Sequence, residues 1–347
     1  MITLALLAAA FAWAPGASAA MLNWNYAASQ IAPAGTQLSM SELAAVVNEQ
    51  GPNAPYHVDF GVTSSGVGAD AMKVLQTNNP AAPYIGMYHH LNAAAGRFET
   101  FLAQSNDLKT WTTMSMIHTA ASMPDAVILP DNSVLYAEER NPTGNRPVIA
   151  VNYYATLAGF LSNPSAPTRT ITLPKTASAS ADGTPQFGRI TYNGSITNSK
   201  IEITHHYFYL STRDQQAIGT LTNFNRWSSS ADTWTNATMA GLGYRHLGDR
   251  EHLKVATTTY ELLEGNLDEP SRTNGWANWR LFLINKTSNQ VQQLAPAIPG
   301  GAYSVGNPSA TFLTLPDGRP ALVLSYFLFS EGASATPAGP HLYIYPL

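Results

Sequence analysis

A short pattern recurs along this chain at intervals of about sixty residues, and a repeat of that length restricts the fold to copies of one supersecondary unit packed against each other. Its clearest copies are Met123-Pro124-Asp125-Ala126-Val127-Ile128-Leu129 and Pro308-Ser309-Ala310-Thr311-Phe312-Leu313. The first runs into the turn Pro130-Asp131-Asn132 and the apolar Val134-Leu135-Tyr136, and the second into Pro316-Asp317-Gly318 and Ala321-Leu322-Val323-Leu324. Each therefore reads as strand, tight turn, strand. A third copy is Thr184-Pro185-Gln186-Phe187-Gly188-Arg189-Ile190, with its turn at Asn193-Gly194 and its next strand at Ile201-Glu202-Ile203. A fourth, more divergent, is Gly248-Asp249-Arg250-Glu251-His252-Leu253 followed by Thr257 to Leu263, and the earliest is Tyr56-His57-Val58-Asp59-Phe60 followed by Tyr84 to Tyr88.

Taking Asp59, Asp125, Gln186, Arg250 and Ser309 as corresponding points gives five units, each long enough for four short strands. Further strands are expected over Phe98 to Gln104, Val148 to Tyr153, Lys200 to Tyr209, Trp279 to Ile284 and Leu342 to Tyr345. One helical stretch is expected, around Ser39 to Asn48, whereas a barrel of alternating strands and helices needs a helix after every strand. The expected fold is all-β, a five-bladed β-propeller over residues 56–347, preceded by an N-terminal segment at 21–55. The other arrangement open to such strands is a β-sandwich or a pair of β domains, which would lack a central channel ringed by equivalent strands. Trp111 and Trp227, each following a polar turn, are expected to pack between blades.

Composition narrows the function. The formal charge is −4 with no sustained basic block, which argues against a nucleic-acid partner. The absence of cysteine excludes disulfides, thiolate nucleophiles and Fe–S centres. Residues 1–20 read as an export signal: Leu4 to Trp13 is almost wholly apolar and Ala17-Ser18-Ala19 has the small-residue cleavage pattern, although no Lys or Arg precedes the apolar run. A buried hydrophobic helix is the other reading of that stretch. No later segment is long enough to span a bilayer, so the mature protein is expected to be secreted, periplasmic or exposed at the cell surface. Its oligomeric state is not set by these features.

In a propeller the leading ends of the inner strands converge, which gathers Asp59, Asp125, Gln186, Arg250, Glu251 and Ser309 from distant parts of the chain. Separated carboxylates at one centre suit glycosidic chemistry, one activating water and another protonating the leaving oxygen. Glu251 is the first choice of proton donor and Glu264 the second, although Arg250 beside Glu251 favours its ionised form. The Asp249-Arg250-Glu251 triplet reads equally as an ion-pair network locking the fourth unit. His205 and His206 are adjacent on one strand and face opposite ways, so only one can reach a common site, and the same holds for His89 and His90. No cofactor is required by these features. A histidine with a distant ligand leaves room for a structural or catalytic divalent cation, but no HExxH helix, phosphate loop or G-x-S-x-G elbow is present.

The repeated turns and separated acids resemble those of the five-bladed propeller glycosidases that process arabinose- or xylose-containing polysaccharides. Ile201 to Trp227 and Gly248-Asp249-Arg250-Glu251 also resemble segments of exported propeller proteins of unassigned chemistry. The glycosidase resemblance implies an aspartate base, a second aspartate that tunes the site and a glutamate acid. Asp59 matches the first and Asp125 the second, while the third-blade position holds Gln186, which cannot donate a proton as a carboxylic acid does. The expected activity is hydrolysis of an extracellular polysaccharide or oligosaccharide by Asp59, Asp125 and Glu251, with Gln186, His205, Arg250 and Ser309 positioning the carbohydrate. Two further readings are a carbohydrate-binding propeller without catalysis and a polysaccharide lyase in which Arg250 neutralises a uronate.

Overall fold

The computed structural model describes residues 25–48, 56–57, 69–141, 146–177, 179–209, 213–267, 276–296, 298, 304–330 and 338–347. The export reading at 1–20 lies outside them. Their strands form five antiparallel four-stranded sheets, the blades of a propeller. The inner strands are Ala69–Gln76, Ala121–Ile128, Ala179–Tyr192, His246–Val255 and Val305–Thr314, in blades 1 to 5. Next to each lies a second strand: Tyr84–Asn92, Val134–Arg140, Ser199–Tyr209, Thr258–Asn266 and Pro320–Leu328. The helix expected near Ser39 forms at Met40–Asn48, with Leu43, Ala44, Val46 and Val47 buried against blades 4 and 5.

The expected first inner strand requires correction. Tyr56–His57 pairs with Leu342 and His341 and supplies the fourth strand of blade 5, so the start of the propeller sequence closes the ring onto its end. Closure by a strand from the other terminus hides an edge that would otherwise lie open. The inner strand of blade 1 is Ala69–Gln76, and Asp59 lies outside the described residues.

All five inner strands carry the same irregularity. Three residue steps on the inner strand face two on its partner, as from Asp70 to Lys73 against His89 to Met87 and from Ser122 to Asp125 against Glu139 to Ala137. The same bulge occurs at Gly183–Gln186, within Leu247–Arg250 and at Gly306–Ser309. Such a bulge bends the strand and re-aims its side chains. It aligns Asp70-Ala71-Met72-Lys73, Ser122-Met123-Pro124-Asp125, Gly183-Thr184-Pro185-Gln186 and Gly306-Asn307-Pro308-Ser309, and in blade 4, where the pairing shifts one residue earlier, the contacts of Glu251 with Lys73 and Ser309 match Gly248-Asp249-Arg250-Glu251 to them. In this alignment Asp125, Gln186 and Ser309 are equivalent, as the repeat predicts, Lys73 takes the place expected of Asp59, and Glu251 takes that expected of Arg250. Strand alternation then turns Arg250 off the channel.

Four of the five blade interfaces are apolar. Leu75, Ile85 and Leu102 meet Ala126, Val134 and Tyr136 between blades 1 and 2, and Val127, Leu135 and Val151 meet Phe187, Ile203 and Leu221 between blades 2 and 3. Similar clusters join blade 4 to 5 and blade 5 to 1. Trp111 and Trp227 both belong to these seams, Trp227 lying over Gly219, where any β-carbon would overlap the indole. Among the described residues no apolar cluster spans blades 3 and 4. That seam is built on charge, with the fully buried Arg250 bound to Asp232, Glu261 and the carbonyl of Ala217.

Because Ile203 is completely buried between blades 2 and 3, Ile203→Ala is expected to cost about 2–5 kcal/mol of unfolding free energy. The effect is read as a lower urea midpoint at unchanged denaturant slope.

Candidate functional site

The channel holds two tiers of polar groups. In the lower tier Lys73 bridges Asp125, at 3.2 Å, and Glu251, to which it hydrogen-bonds, all three side chains being fully buried. Ser309 donates to Glu251 at 3.2 Å, and the backbone N–H of Phe187 donates to Asp125 at 2.7 Å. Gln30, on the short helix Ala28–Gln30, donates to the carbonyl of Phe187 at 2.6 Å and stands 3.4 Å from Glu251, plugging the channel from the side opposite the leading ends. Gln186 sits at the equivalent register position, buried, with no hydrogen-bond partner for Oε1.

The lower tier therefore brings together Asp125, Glu251, Ser309 and, by register, Gln186. Burial is the largest influence on Lys73 and works against its charge, but Asp125 and Glu251 outweigh it and raise its proton affinity, so the ammonium persists. Burial, only partly offset by Lys73 and reinforced by Glu251, pushes Asp125 up to about 6. Glu251 is engaged by the Lys73 ammonium, the Ser309 hydroxyl and Gln30, so its carboxyl faces inward rather than toward a substrate at the leading ends.

Arg250 and His205 lie elsewhere. Arg250 points into the seam between blades 3 and 4. His205 is completely buried, its Nε2 sharing a hydrogen bond with Thr176 at 2.8 Å, its ring against Trp227, and burial depresses its proton affinity to about 3. The histidine facing the channel side is His206, whose Nδ1 bonds the Thr184 hydroxyl at 3.0 Å.

The upper tier, at the leading ends, is supplied largely by the second strands. His89, Glu139, His206 and Glu264 occupy equivalent places there and reach over the inner-strand bulge of their own blades. Glycines make the room. A β-carbon on Gly183 would overlap Glu139 Oε2 and crowd His206 Nε2, and β-carbons on Gly248 and Gly306 would overlap the two oxygens of Glu264. The bulge also aims backbone donors. Met123, Thr184 and Asn307 are left-handed, with φ of 49°, 44° and 49°, and each sends its N–H to the preceding blade: Met123 to His89 Nδ1 at 3.1 Å, Thr184 to Glu139 and Asn307 to Glu264. Asp249 instead turns its N–H onto Glu264 of its own blade at 2.7 Å.

Asn307 ties two mouth carboxyls together, since its Nδ2 also donates to Asp70 Oδ1 at 2.8 Å. The two differ in setting. Asp70 keeps 19% side-chain exposure, whereas Glu264 is almost sealed and burial pushes it up to about 8 despite two backbone N–H donors, with Asp70 and Asp214 adding repulsion. Beside it Asp249 is driven well above the usual carboxylate range, first by burial and then by Glu264. Burial also raises Glu139, against the opposing influence of His206 and the Thr184 N–H. His89 is depressed to about 3 by burial and His90; its Nδ1 accepts from Met123, which leaves the hydrogen on Nε2, 3.6 Å from Asp70 Oδ2. An aromatic group flanks each side: Phe98 edge-on to His89, and Trp276 stacked on Phe329, which lies against Gly306.

Asp70 and Glu139 escaped the sequence reading. Asp70 was hidden because its repeat lacks the proline of blades 2, 3 and 5, and Glu139 because a second-strand position carries no turn signal. Among the described residues no group of three or more His, Asp or Glu side chains is arranged to hold a metal ion, and no helix is long and apolar enough to cross a membrane.

No protein-family model matches the chain, and no curated protein does. Solved structures do resemble it in fold. One, a complex of BT0996 with RGII, superposes with a TM-score of 0.57 at 10% identity, over 88% of this protein and 94% of that one. Another, described as a glycoside hydrolase, gives 0.56 at 10% identity over 90% and 97%. The endo-arabinase of Bacteroides thetaiotaomicron gives 0.51 at 11% identity over 84% and 98%. At such identities the likeness shows a common five-bladed propeller.

These proton affinities set a pH profile for stability. Glu264 lies above its ordinary 4.5, so its contribution is complete below 4.5 and is lost as pH rises toward about 8. His89 and His205 lie below their ordinary 6.5, so theirs is complete above 6.5 and is lost as pH falls toward about 3. Each group contributes a slope of about 1.4 kcal/mol per pH unit within its window. Thermal unfolding across the pH range is expected to show a fall in Tm between 6.5 and 8 that is flattened in Glu264→Gln.

Proposed function

We propose that the chain is a glycoside hydrolase whose reaction takes place at the channel mouth, with Glu264 as the general acid and Asp70 as the base that activates water. The observation that carries this reading is Asn307, which binds both carboxyls while their surroundings separate them, one sealed and protonated near neutrality, the other reached by solvent and ionisable. Glu264 gives its proton to the glycosidic oxygen as the bond from the anomeric carbon breaks. Water adds to that carbon as Asp70 takes its proton. The Nε2–H of His89 faces Asp70 from 3.6 Å, and Glu139 tunes the field at the mouth.

The roles expected of Asp59, Asp125 and Glu251 pass in this reading to Asp70, Glu139 and Glu264, leaving Asp125 and Glu251 as the ionic pin beneath the site. The family likeness and the resemblance in fold to a glycoside hydrolase and an endo-arabinase support a substrate containing arabinose or xylose. Arg250, engaged by Asp232, Glu261 and Ala217, is withdrawn from the uronate-neutralising role a lyase would need. Secretion fits a polysaccharide substrate and rests on residues 1–20.

Incubation with arabinan- and xylan-derived oligosaccharides is expected to release reducing sugar, with activity declining above about pH 8 as Glu264 ionises. Asp70→Asn and Glu264→Gln are each expected to lower kcat by about 10²–10⁴-fold with little change in KM. Binding of these glycans without any release would replace the hydrolase reading with that of a carbohydrate-binding propeller.

Gly248→Ala, which places a β-carbon on the Glu264 carboxylate, is expected to reduce kcat while leaving the fold intact by circular dichroism. Unchanged kcat in this variant would count against Glu264 as the acid.

A further inference from the structure

The seam between blades 3 and 4 differs from the other four in more than composition. It encloses a cleft of about 450 Å³ at a distance from the mouth carboxyls, bordered by Arg189, Glu202, His252, Glu261, Lys286 and, from the N-terminal segment, Tyr26. Two of these groups present unsatisfied atoms. His252 is 4% exposed and its Nδ1 has no hydrogen-bond partner; Glu261 is 1% exposed and its Oε2 makes only long contacts, with His252 Nε2 at 3.5 Å and Lys286 Nζ at 3.7 Å. Buried polar atoms are nearly always hydrogen-bonded, so two such under-bonded atoms on residues that line one polar cleft point to a ligand that supplies further bonds there.

We infer that this seam binds a small neutral polyol of monosaccharide size, at a site separate from the mouth. The charge pattern selects the class. A phosphate or carboxylate would meet Glu202 and Glu261, and an ammonium would meet Arg189, Lys254 and Lys286. A sugar hydroxyl both donates and accepts, so neighbouring hydroxyls can satisfy Glu261 Oε2 and at the same time accept from Lys286. Tyr26, stacked on His252 with ring centroids 5.9 Å apart, offers an aromatic face to the C–H side of a sugar ring. The cleft lies in the volume range of small-molecule sites. Bound there, a polyol would bridge the two blades that share no apolar cluster among the described residues. This inference does not rest on the hydrolase reading.

The test uses the full chain with D-glucose, D-galactose, L-arabinose and myo-inositol as separate probes, followed by titration calorimetry and saturation-transfer NMR. At least one probe is expected to bind, with affinity reduced about tenfold or more in Glu261→Gln and in Tyr26→Ala, and retained in Glu264→Gln. Tyr26 is half-buried and carries no charge into the ion-pair network of the seam, so Tyr26→Ala tests the site even if Glu261→Gln disturbs folding. No binding by any probe overturns the inference. So does binding that Tyr26→Ala and Glu261→Gln both leave unchanged, which would place the sugar outside the seam. Binding of inorganic phosphate in competition with the polyols would overturn the assignment of a neutral ligand.

Discussion

The extra residue in each inner strand is the feature on which the molecule depends. A regular edge strand alternates its backbone N–H groups between its partner strand and the open side in a fixed order. The bulge frees one, and in blades 2, 3 and 5 a left-handed residue points it at the preceding blade, where His89, Glu139 or Glu264 accepts it. The proline that follows in each of these blades has no N–H to lose where the ladder is interrupted. One local irregularity thus performs two tasks. It latches neighbouring blades together at the channel mouth, and it fixes the ionisable side chains of the second strands with main-chain donors that cannot rotate away.

Charge is sorted by depth along the channel. The lower tier contains a cation, so Asp125 and Glu251 can remain in a site closed to water by Gln30. In the upper tier Glu264 and Asp249 lie side by side and repel each other when ionised, and burial favours their protonated forms. A protein that needs both an ionised and a protonated carboxyl at one pH can obtain them from burial and partner choice, without any unusual residue type. Here Asp125 and Glu251 meet on the axis around Lys73, while Glu139 and Glu264 reach the rim from the second strands over glycines.

The seam between blades 3 and 4, among the described residues, lacks both the apolar cluster and the forward backbone latch of its counterparts. Gln216 donates to the carbonyls of Leu247 and Gly248, and Arg250 binds Asp232 and Ala217 across it. Directional bonds here replace apolar packing, and they hold their geometry only while every buried polar group is matched. Removing one partner from such a network costs more than removing an exposed ion pair, because it leaves a buried charge alone.

Much of the architecture was legible along the chain. The Pro-containing copies at Asp125, Gln186 and Ser309 marked inner strands correctly because a bulge followed by proline imposes a local backbone demand that short segments express by themselves. Alternation along Ile201 to Tyr209 likewise required His205 and His206 to part, and they do. Ring closure could not be read in the same way: whether Tyr56–His57 begins blade 1 or completes blade 5 depends on a partner at Leu342, far along the chain. Nor could the sequence separate Glu251 from Glu264. The two glutamates are set apart by what stands opposite them, Lys73 for one and Asn307 for the other, and those neighbours come from other blades. Local backbone preference thus determined the strands, turns and repeat. Proximity across the ring, which alone sets dielectric and charge around each carboxyl, decided which of them carries a proton.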